Sequence, residues 1–137
     1  MPDTLAWLDG ISEDRSLHRH ALGKWSIREV VSHVNDTERL LVSRAFWFAR
    51  GFDTPLPGFD QNTAISAAGA DDRAWGSHLD EFRVVRAATL ALFRHLPAQA
   101  WQRRGLASGN PFTVRALAHI AAGHVTHHMT ILPTRCL

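Results

Sequence analysis

Residues 23–50 read GKWSIREVVSHVNDTERLLVSRAFWFAR, which is the pattern of a capped amphipathic helix. Ser26 can cap the first turn, and Glu29, three positions later, can reach back to the capping residue. Successive residues step by ~100° around a helix, so the apolar positions gather on one face that continues to about Arg50. Gly51 is a typical helix end. The predicted buried face consists of Ile27, Val30, Val34, Leu41, Ala45 and Phe48.

The same periodicity predicts two more strong helices. One covers residues 75–96, and the other follows a Thr113 cap and continues to Leu132, where Pro133 ends it. A poorer helix covers residues 2–18. Residues 52–74 lack a sustained period and form the long connection of the fold, and no alternation typical of strands appears anywhere. The sequence therefore predicts an all-α, up-and-down four-helix bundle with a short first helix.

Composition and charge restrict the class of protein. The chain has 137 residues, 45% of them hydrophobic, which suits one domain spanning residues 1–137. The net charge is only +2 and no recognition-helix signature appears, so nucleic-acid binding is not expected. No apolar run of roughly 18 residues is present, so no membrane span is expected. The acidic N-terminal stretch and the single cysteine, Cys136, favour a cytoplasmic protein.

Two histidines of the last helix point toward its buried face. His124 and His128 fall within about 40° of the centre of the face that Leu117, Ile120 and Ala121 define. One buried histidine is usually a hydrogen-bonded core residue. A pair at i and i+4 differs, because the two rings can close on one metal ion at ~2.0–2.1 Å.

The other candidate site residues lie on the first strong helix. His33 falls at the edge of its buried sector, so the helical wheel permits either a third metal ligand or a surface histidine. Glu38 faces inward and is the candidate general base, although a structural ion pair with an arginine is the favoured interpretation. Phe59 could cover a metal from the loop at residues 55–60, whose alternative role is a rigid connector. Five histidines are expected to face solvent: His18, His20, His78, His95 and His119. His127 lies between the two groups, so it either orients a metal-binding histidine or lies at the rim of the pocket.

Three segments together resemble the DinB/YfiT-like superfamily. They are the run GKWSIREVVSHVNDTER at residues 23–39, the loop TPLPGFD at residues 54–60, and the end GHVTHH at residues 123–128. The resemblance covers residues 20–137 in the right order. It implies a four-helix bundle with a divalent metal, zinc or nickel among the common ones, held at the positions of His33, His124 and His128.

The resemblance also implies expectations about function. Members of the superfamily often form dimers, and some are thiol-dependent transferases or isomerases that use a low-molecular-weight thiol, while many have no assigned activity. A first helix shorter than usual would leave apolar surface that a partner in a homodimer could cover. The expected function is metal-dependent transfer or hydrolysis of a small-molecule substrate. The alternative is a non-catalytic, stress-associated metal-binding bundle, and the sequence leaves open whether the protein is an enzyme.

Overall fold

The computed structural model describes residues 2–136 of the chain. α1, α2, α4 and α5 form a four-helix bundle, which confirms the predicted all-α fold class and its short first helix. The helices are α1 (Pro2–Asp9), α2 (Ile27–Ala49), α3 (Gln61–Ala68), α4 (Trp75–Arg94) and α5 (Val114–Cys136), and an antiparallel hairpin is formed by β1 (Arg104–Ala107) and β2 (Asn110–Thr113). Short 3-10 turns lie at Arg15–Leu17, Ala70–Asp72 and Ala98–Gln102.

The two helix starts predicted from capping residues are confirmed. Ser26 Oγ accepts a hydrogen bond from the Glu29 backbone N–H at 3.1 Å. Thr113 Oγ1 accepts one from the Ala116 N–H at 3.0 Å. Beyond the end of α2, Gly51 has a φ of 89°, a value that glycine adopts at little cost, so the chain turns away there as predicted.

The predicted end of the last helix at Leu132 is wrong, because α5 continues through Pro133 to Cys136. A proline lacks its own N–H and so removes one hydrogen bond to the preceding turn. Thr134 Oγ1 donates to the Ile131 carbonyl at 2.8 Å and adds a bond within the same turn. The final turn therefore keeps a helical path despite the proline.

Two clusters of buried side chains fill the bundle, one at each end. The first joins α1 to the N-terminal halves of α2 and α4 and to the C-terminal half of α5. The second joins the C-terminal part of α2 to the hairpin and to the N-terminal half of α5. The first cluster contains Leu8, Ile27, Val31, Val34, Trp75, Leu79, Phe82, Val125, Met129 and Leu132, and the second contains Leu41, Ala45, Phe48, Ala49, Ala100, Ala107, Val114, Leu117 and Ala121.

The connectivity is less simple than a strict alternation of helix directions. Arg28 near the start of α2 donates to the Arg73 carbonyl just before α4 at 2.6 Å, and Glu38 farther along α2 pairs with Arg86 farther along α4. Contacts that advance together along both helices mean that α2 and α4 run in the same direction. α5 runs opposite to them, since its C-terminal half meets the N-terminal half of α2.

The connection between α2 and α4 contains a helix that the sequence did not predict. α3 is capped by Asp60, whose Oδ1 accepts hydrogen bonds from the Asn62 and Thr63 N–H groups at 2.9 and 3.0 Å. Earlier in the connection, Leu56 exchanges backbone bonds with the hairpin, from Leu56 N to Leu106 O at 2.9 Å and from Ser108 N to Leu56 O at 3.2 Å. Residues 55–60 are therefore held as a connector.

The hairpin of β1 and β2 corrects the prediction that β structure is absent. Its two-residue turn consists of Ser108 and Gly109, with φ of 53° and 75°. Two successive residues with positive φ match the twist of paired strands, so the turn suits a tight hairpin. Each strand has only four residues, too few for an alternating pattern to stand out.

Arg28 fastens the segment before α2 to the connection. This buried guanidinium donates to Ser16 Oγ at 2.8 Å, to the Asp71 carbonyl at 2.9 Å and to Glu13 Oε1 at 2.5 Å. Residues 13–16 and residues 71–73 are thereby joined at the end of the bundle where α2 begins. No helix within residues 2–136 is long and apolar enough to cross a membrane.

Candidate metal centre

α2 places His33 in the interior, two turns after the Ser26 cap. The ring of Trp25 lies against it with centroids 4.9 Å apart. Thr37, one turn farther along the helix, places its Oγ1 3.3 Å from His33 Nδ1. A hydrogen bond at Nδ1 fixes the orientation of the ring and directs Nε2 to the other side. The buried position rules out the surface histidine that the helical wheel left open, and the role of His33 as a metal ligand stays a prediction.

α5 brings two more imidazoles to the same point. His124 and His128 are one turn apart, with ring centroids separated by 4.5 Å. His33 Nε2 lies 3.0 Å from His124 Nε2, and the rings of His33 and His128 are 5.0 Å apart. One nitrogen from each histidine lies within 4.8 Å of the others. The three predicted residues therefore converge, although His33 and His124 are 91 positions apart in sequence.

Burial keeps these rings in the neutral form. It lowers the pKa of His33 to about 4, and the neighbouring His124 adds to the effect. It also lowers the pKa of His128 to about 4, with further contributions from His124, His33, His127 and Arg135. The pKa of His124 is lowered by burial and then by His127. Neutral imidazole is the form that binds metal ions, so the site is ready to accept one near neutral pH.

The donor set fits a divalent ion. Ligand atoms at ~2.0–2.1 Å from a tetrahedral ion lie roughly 3.3 Å apart. The observed separation of 3.0 Å between His33 Nε2 and His124 Nε2 is close to that value, and the upper bound of 4.8 Å allows small rotations of the third ring. Within residues 2–136, this is the one group of three or more His, Cys, Asp or Glu side chains with such geometry.

An open cavity of about 420 Å³ adjoins the histidine cluster. His128 lies in its wall together with Trp25 and Ile131, and the start of α3 contributes Gln61 and Asn62. Binding sites for small molecules commonly have volumes of about 300–1,000 Å³. The arrangement thus combines a metal-type donor set with space for a small molecule beside one of its ligands.

Glu38 does not join this cluster. It is buried and paired with Arg86, which lies on α4. Burial raises the pKa of its carboxyl group, and the Arg86 charge opposes that rise. Glu38 lines neither the cavity nor the group of three histidines. These contacts are those of the structural ion pair that the sequence analysis favoured over a general base.

Of the histidines expected to face solvent, three are exposed, one is half-buried and one is fully buried: His20, His95 and His119 are exposed, His18 is half-buried, and His78 is the exception. His78 was expected on a polar face, but it is 0% exposed. Its Nε2 lies 2.8 Å from the Ala70 carbonyl, because the connection packs over the flank of α4. His127 is exposed, with its ring 5.1 Å from that of His128, at the rim as expected. His20 is exposed and lies in the cavity wall.

Two further expectations about the site need correction. Phe59 does not cover the histidines, since it is 39% exposed and absent from the cavity wall. Ile120, placed near the centre of the buried face of the last helix, is 41% exposed. Thr37 and Trp25 were not predicted to contact His33, although the i+4 spacing from His33 to Thr37 indicates a contact.

Comparison with known proteins places this architecture in a family. The sequence profile of the DinB superfamily matches residues 2–132. The chain belongs to the DinB superfamily. Comparison with curated protein sequences gives no match.

Three solved structures share the fold of this DinB-superfamily protein. YfiT from Bacillus subtilis, described as a probable metal-dependent hydrolase with an unusual four-helix bundle topology, matches with a TM-score of 0.72 and 19% identity over 98% of this chain and 80% of its own. The DinB-like protein YjoA from Bacillus subtilis matches with a TM-score of 0.67 and 21% identity, over 96% of this chain and 79% of its own. A mycothiol-dependent maleylpyruvate isomerase gives a TM-score of 0.75 and 16% identity over 93% of this chain, which spans 54% of the isomerase.

Proposed function

We propose that this protein binds one divalent metal ion, zinc or nickel, through His33, His124 and His128 and uses it in a transfer or hydrolysis reaction on a small molecule. The convergence of three neutral imidazoles carries the proposal. When bound by three histidines with a fourth position open, such an ion lowers the pKa of a water molecule or a substrate thiol. Both hydrolysis and thiol transfer fit that chemistry.

Side chains of the protein orient the metal-binding histidines, keep them unprotonated and leave space for a small molecule beside them. Thr37 holds the His33 ring through Nδ1, so that Nε2 is left for the ion. Burial keeps the three rings unprotonated. The cavity beside His128 offers a small molecule access to the same point. This access favours an enzyme over a purely structural metal site, which has no need of an adjoining cavity.

The similar structures suggest two reaction types for the same site. YfiT is described as a probable metal-dependent hydrolase, and the isomerase depends on the thiol mycothiol. We include a low-molecular-weight thiol among the co-substrates to be tested. We also propose that the protein is cytoplasmic. We expect it to form a homodimer, because α1 has eight residues whereas α2 and α5 have 23 each, so α1 covers only part of the bundle's length.

A non-catalytic role remains the second candidate, and one observation favours it. The ligands come from α2 and α5, two helices that pack against each other through both core clusters. An ion held between them would stabilise the bundle, as structural metals do. This candidate and the enzyme differ in how strongly folding depends on the metal.

The first test is the metal content of protein purified without a histidine tag and incubated with Zn²⁺ or Ni²⁺. We expect about one ion per chain in the wild type and a large loss in His33→Ala, His124→Ala and His128→Ala. His127→Ala is the matched control, because it removes an adjacent exposed imidazole and should leave the metal in place. Circular dichroism checks that each variant is folded. A wild type without bound metal, or variants that retain it, would contradict the proposal.

A further inference from the structure

The cavity beside His128 has a positive wall. Lys24 lies there, just before the cap of α2, and Arg135 lies there in the last turn of α5. His20 adds an imidazole to the same wall. None of the described residues that line the cavity has a carboxylate side chain. Arg135 is near enough to His128 to contribute to the lowering of its pKa.

In the depression next to the cavity, two of the three acidic side chains are paired with another cation. Glu29 and Asp71 lie in a neighbouring depression. Arg19 Nη2 is 2.5 Å from Glu29 Oε1 and 2.5 Å from Asp71 Oδ2, so it pairs with both carboxylates. Within residues 2–136, neither Lys24 nor Arg135 forms an ion pair with an acidic side chain. Their charges are thus available to a ligand.

The rest of the wall suits the uncharged part of a small molecule. Trp25, Val30 and Ile131 provide apolar surface, and the side-chain amides of Gln61 and Asn62 provide hydrogen-bond donors and acceptors. Trp25 also packs on His33, so the apolar surface is continuous with the histidine cluster. A ligand that reaches His128 from this cavity has to pass between these groups.

We propose that the cavity selects substrates that carry an anionic group, a carboxylate or a phosphate, which Lys24 and Arg135 bind while the reactive end of the molecule lies at the three histidines. This inference rests on the proposed function, because it takes the histidine cluster as the reactive centre. Two cations facing one small anion hold it by charge and by N–H donors together. Neutral molecules of the same size lack that contribution.

The test measures binding of small thiols to protein loaded with Co²⁺, whose visible absorption changes when a thiol binds. Three probes share one carbon chain length: 3-mercaptopropionate, the neutral 3-mercapto-1-propanol, and the phosphate ester of that alcohol. At low ionic strength we expect the anionic probes to bind about tenfold more tightly than the alcohol. Added salt should reduce this ratio, because it screens exposed charges. The carboxylate and phosphate probes together show which anion is preferred.

The double variant Lys24→Gln, Arg135→Gln removes both charges while keeping long polar side chains. For this variant, we expect the ratio of the dissociation constant of the neutral alcohol to that of an anionic probe to fall to about one, because the Coulomb attraction is gone. Arg104→Gln is the matched control, since Arg104 is exposed on β1 at the other end of the bundle, and it should keep the wild-type ratio. Equal affinity of the wild type for neutral and anionic probes, or a preference that survives the double variant, overturns the inference.

A metal-free titration separates this inference from the proposed function. The backbone amide resonances of Gly23 and Asn62, which lie in the cavity wall, are followed by nuclear magnetic resonance as each probe is added. Shifts at lower concentrations of the anionic probes support the anion site, and shifts that do not distinguish the probes overturn it. Protein that fails to bind Co²⁺ would refute the metal chemistry alone, and this titration would still decide the question of charge.

Discussion

His78, a buried residue outside the candidate metal site, links the stability of the protein to pH. Its pKa is lowered from the ordinary value of 6.5, chiefly by burial and further by the charges of Arg73 and Arg28. The hydrogen bond to the Ala70 carbonyl and the charge of Glu81 raise the pKa and so oppose this effect. Above pH 6.5 the ring is neutral in both the folded and the unfolded chain. Below it, the unfolded chain takes up a proton that the folded protein excludes, so the free energy of unfolding falls until the folded-state pKa is reached.

The variant His78→Gln should reduce that dependence on pH. Glutamine can place an N–H near the Ala70 carbonyl but does not titrate. We expect the variant to have a lower free energy of unfolding than the wild type at pH 7.5, because packing is lost. At pH 5.5 the difference in free energy of unfolding between the two proteins should be smaller by up to about 1 kcal/mol. Urea unfolding at both pH values measures this. The exposed His119→Gln should behave as the wild type, and an unchanged gap in His78→Gln would contradict the account.

Single residues differ in how far the sequence could predict their positions. The i, i+4 spacing was enough to place His124 and His128 side by side, since both belong to one helix. His33 needed the resemblance as well, because a helical wheel cannot say which helix will pack beside its edge. His78 was misplaced because its cover comes from Ala70, in a connection that no wheel of α4 includes. The periodicity of one helix does not indicate which distant segment of the chain packs over its polar face.

Among the elements, the hairpin depends on one glycine. A Cβ at Gly105 would lie 2.2 Å from Phe48 Cε1, and Phe48 is fully buried in the second core cluster. Gly105→Ala should therefore lower the free energy of unfolding by about 1–3 kcal/mol, because the ring has no free space to move into. Thermal or urea unfolding would detect this loss.

Gly123→Ala serves as the comparison for that variant. Its Cβ would meet nothing within 4 Å, and it lies in the interior of α5. Alanine has the higher helix propensity, so this change should raise stability by about 0.5–1 kcal/mol. Opposite signs for the two variants would support the packing argument, whereas a neutral Gly105→Ala would show that β1 can move away from α2.

Long elements were easier to predict than short ones. α2 and α4 were located within about two residues because their apolar faces repeat over several turns. α3, with eight residues, and the four-residue strands are too short for a period to emerge. The Asp60 cap of α3 and the Ser108-Gly109 turn were local signals that could have indicated both.

At the scale of the whole molecule, removal of metal tests whether the ion serves chemistry or folding. Both core clusters are complete without an ion, so we expect the metal-free protein to keep its helical circular dichroism. Added metal should still raise the unfolding temperature, because binding at one hundred times Kd stabilises the folded state by about 2.7 kcal/mol.

The control for this measurement is His124→Ala, which should show no rise in unfolding temperature with metal. Loss of helical signal in the metal-free wild type would favour the non-catalytic candidate instead. A bundle held together by an ion unfolds when the ion is removed, as small zinc domains do.

The parallel course of α2 and α4 is the part of the fold that helix periodicity could not supply. Periodicity identifies the buried face of each helix, but four such helices can form a bundle with several different combinations of parallel and antiparallel neighbours. The contacts that fix the direction, such as Glu38 with Arg86, join residues 48 positions apart in sequence. The four-helix bundle was therefore predictable from the sequence, whereas the relative directions of its helices were not.

The distance along the chain between the two halves of the histidine cluster has a consequence during protein synthesis. His33 and His124 are separated by 91 positions, and the ribosome makes the chain from the N-terminus onward. While α2 emerges, its histidine has no partner, so the nascent chain cannot hold an ion at this place. Only when α5 has been made and has docked against α2 do the three rings meet. Under the proposed function, the metal ion therefore binds only after α5 has docked against α2.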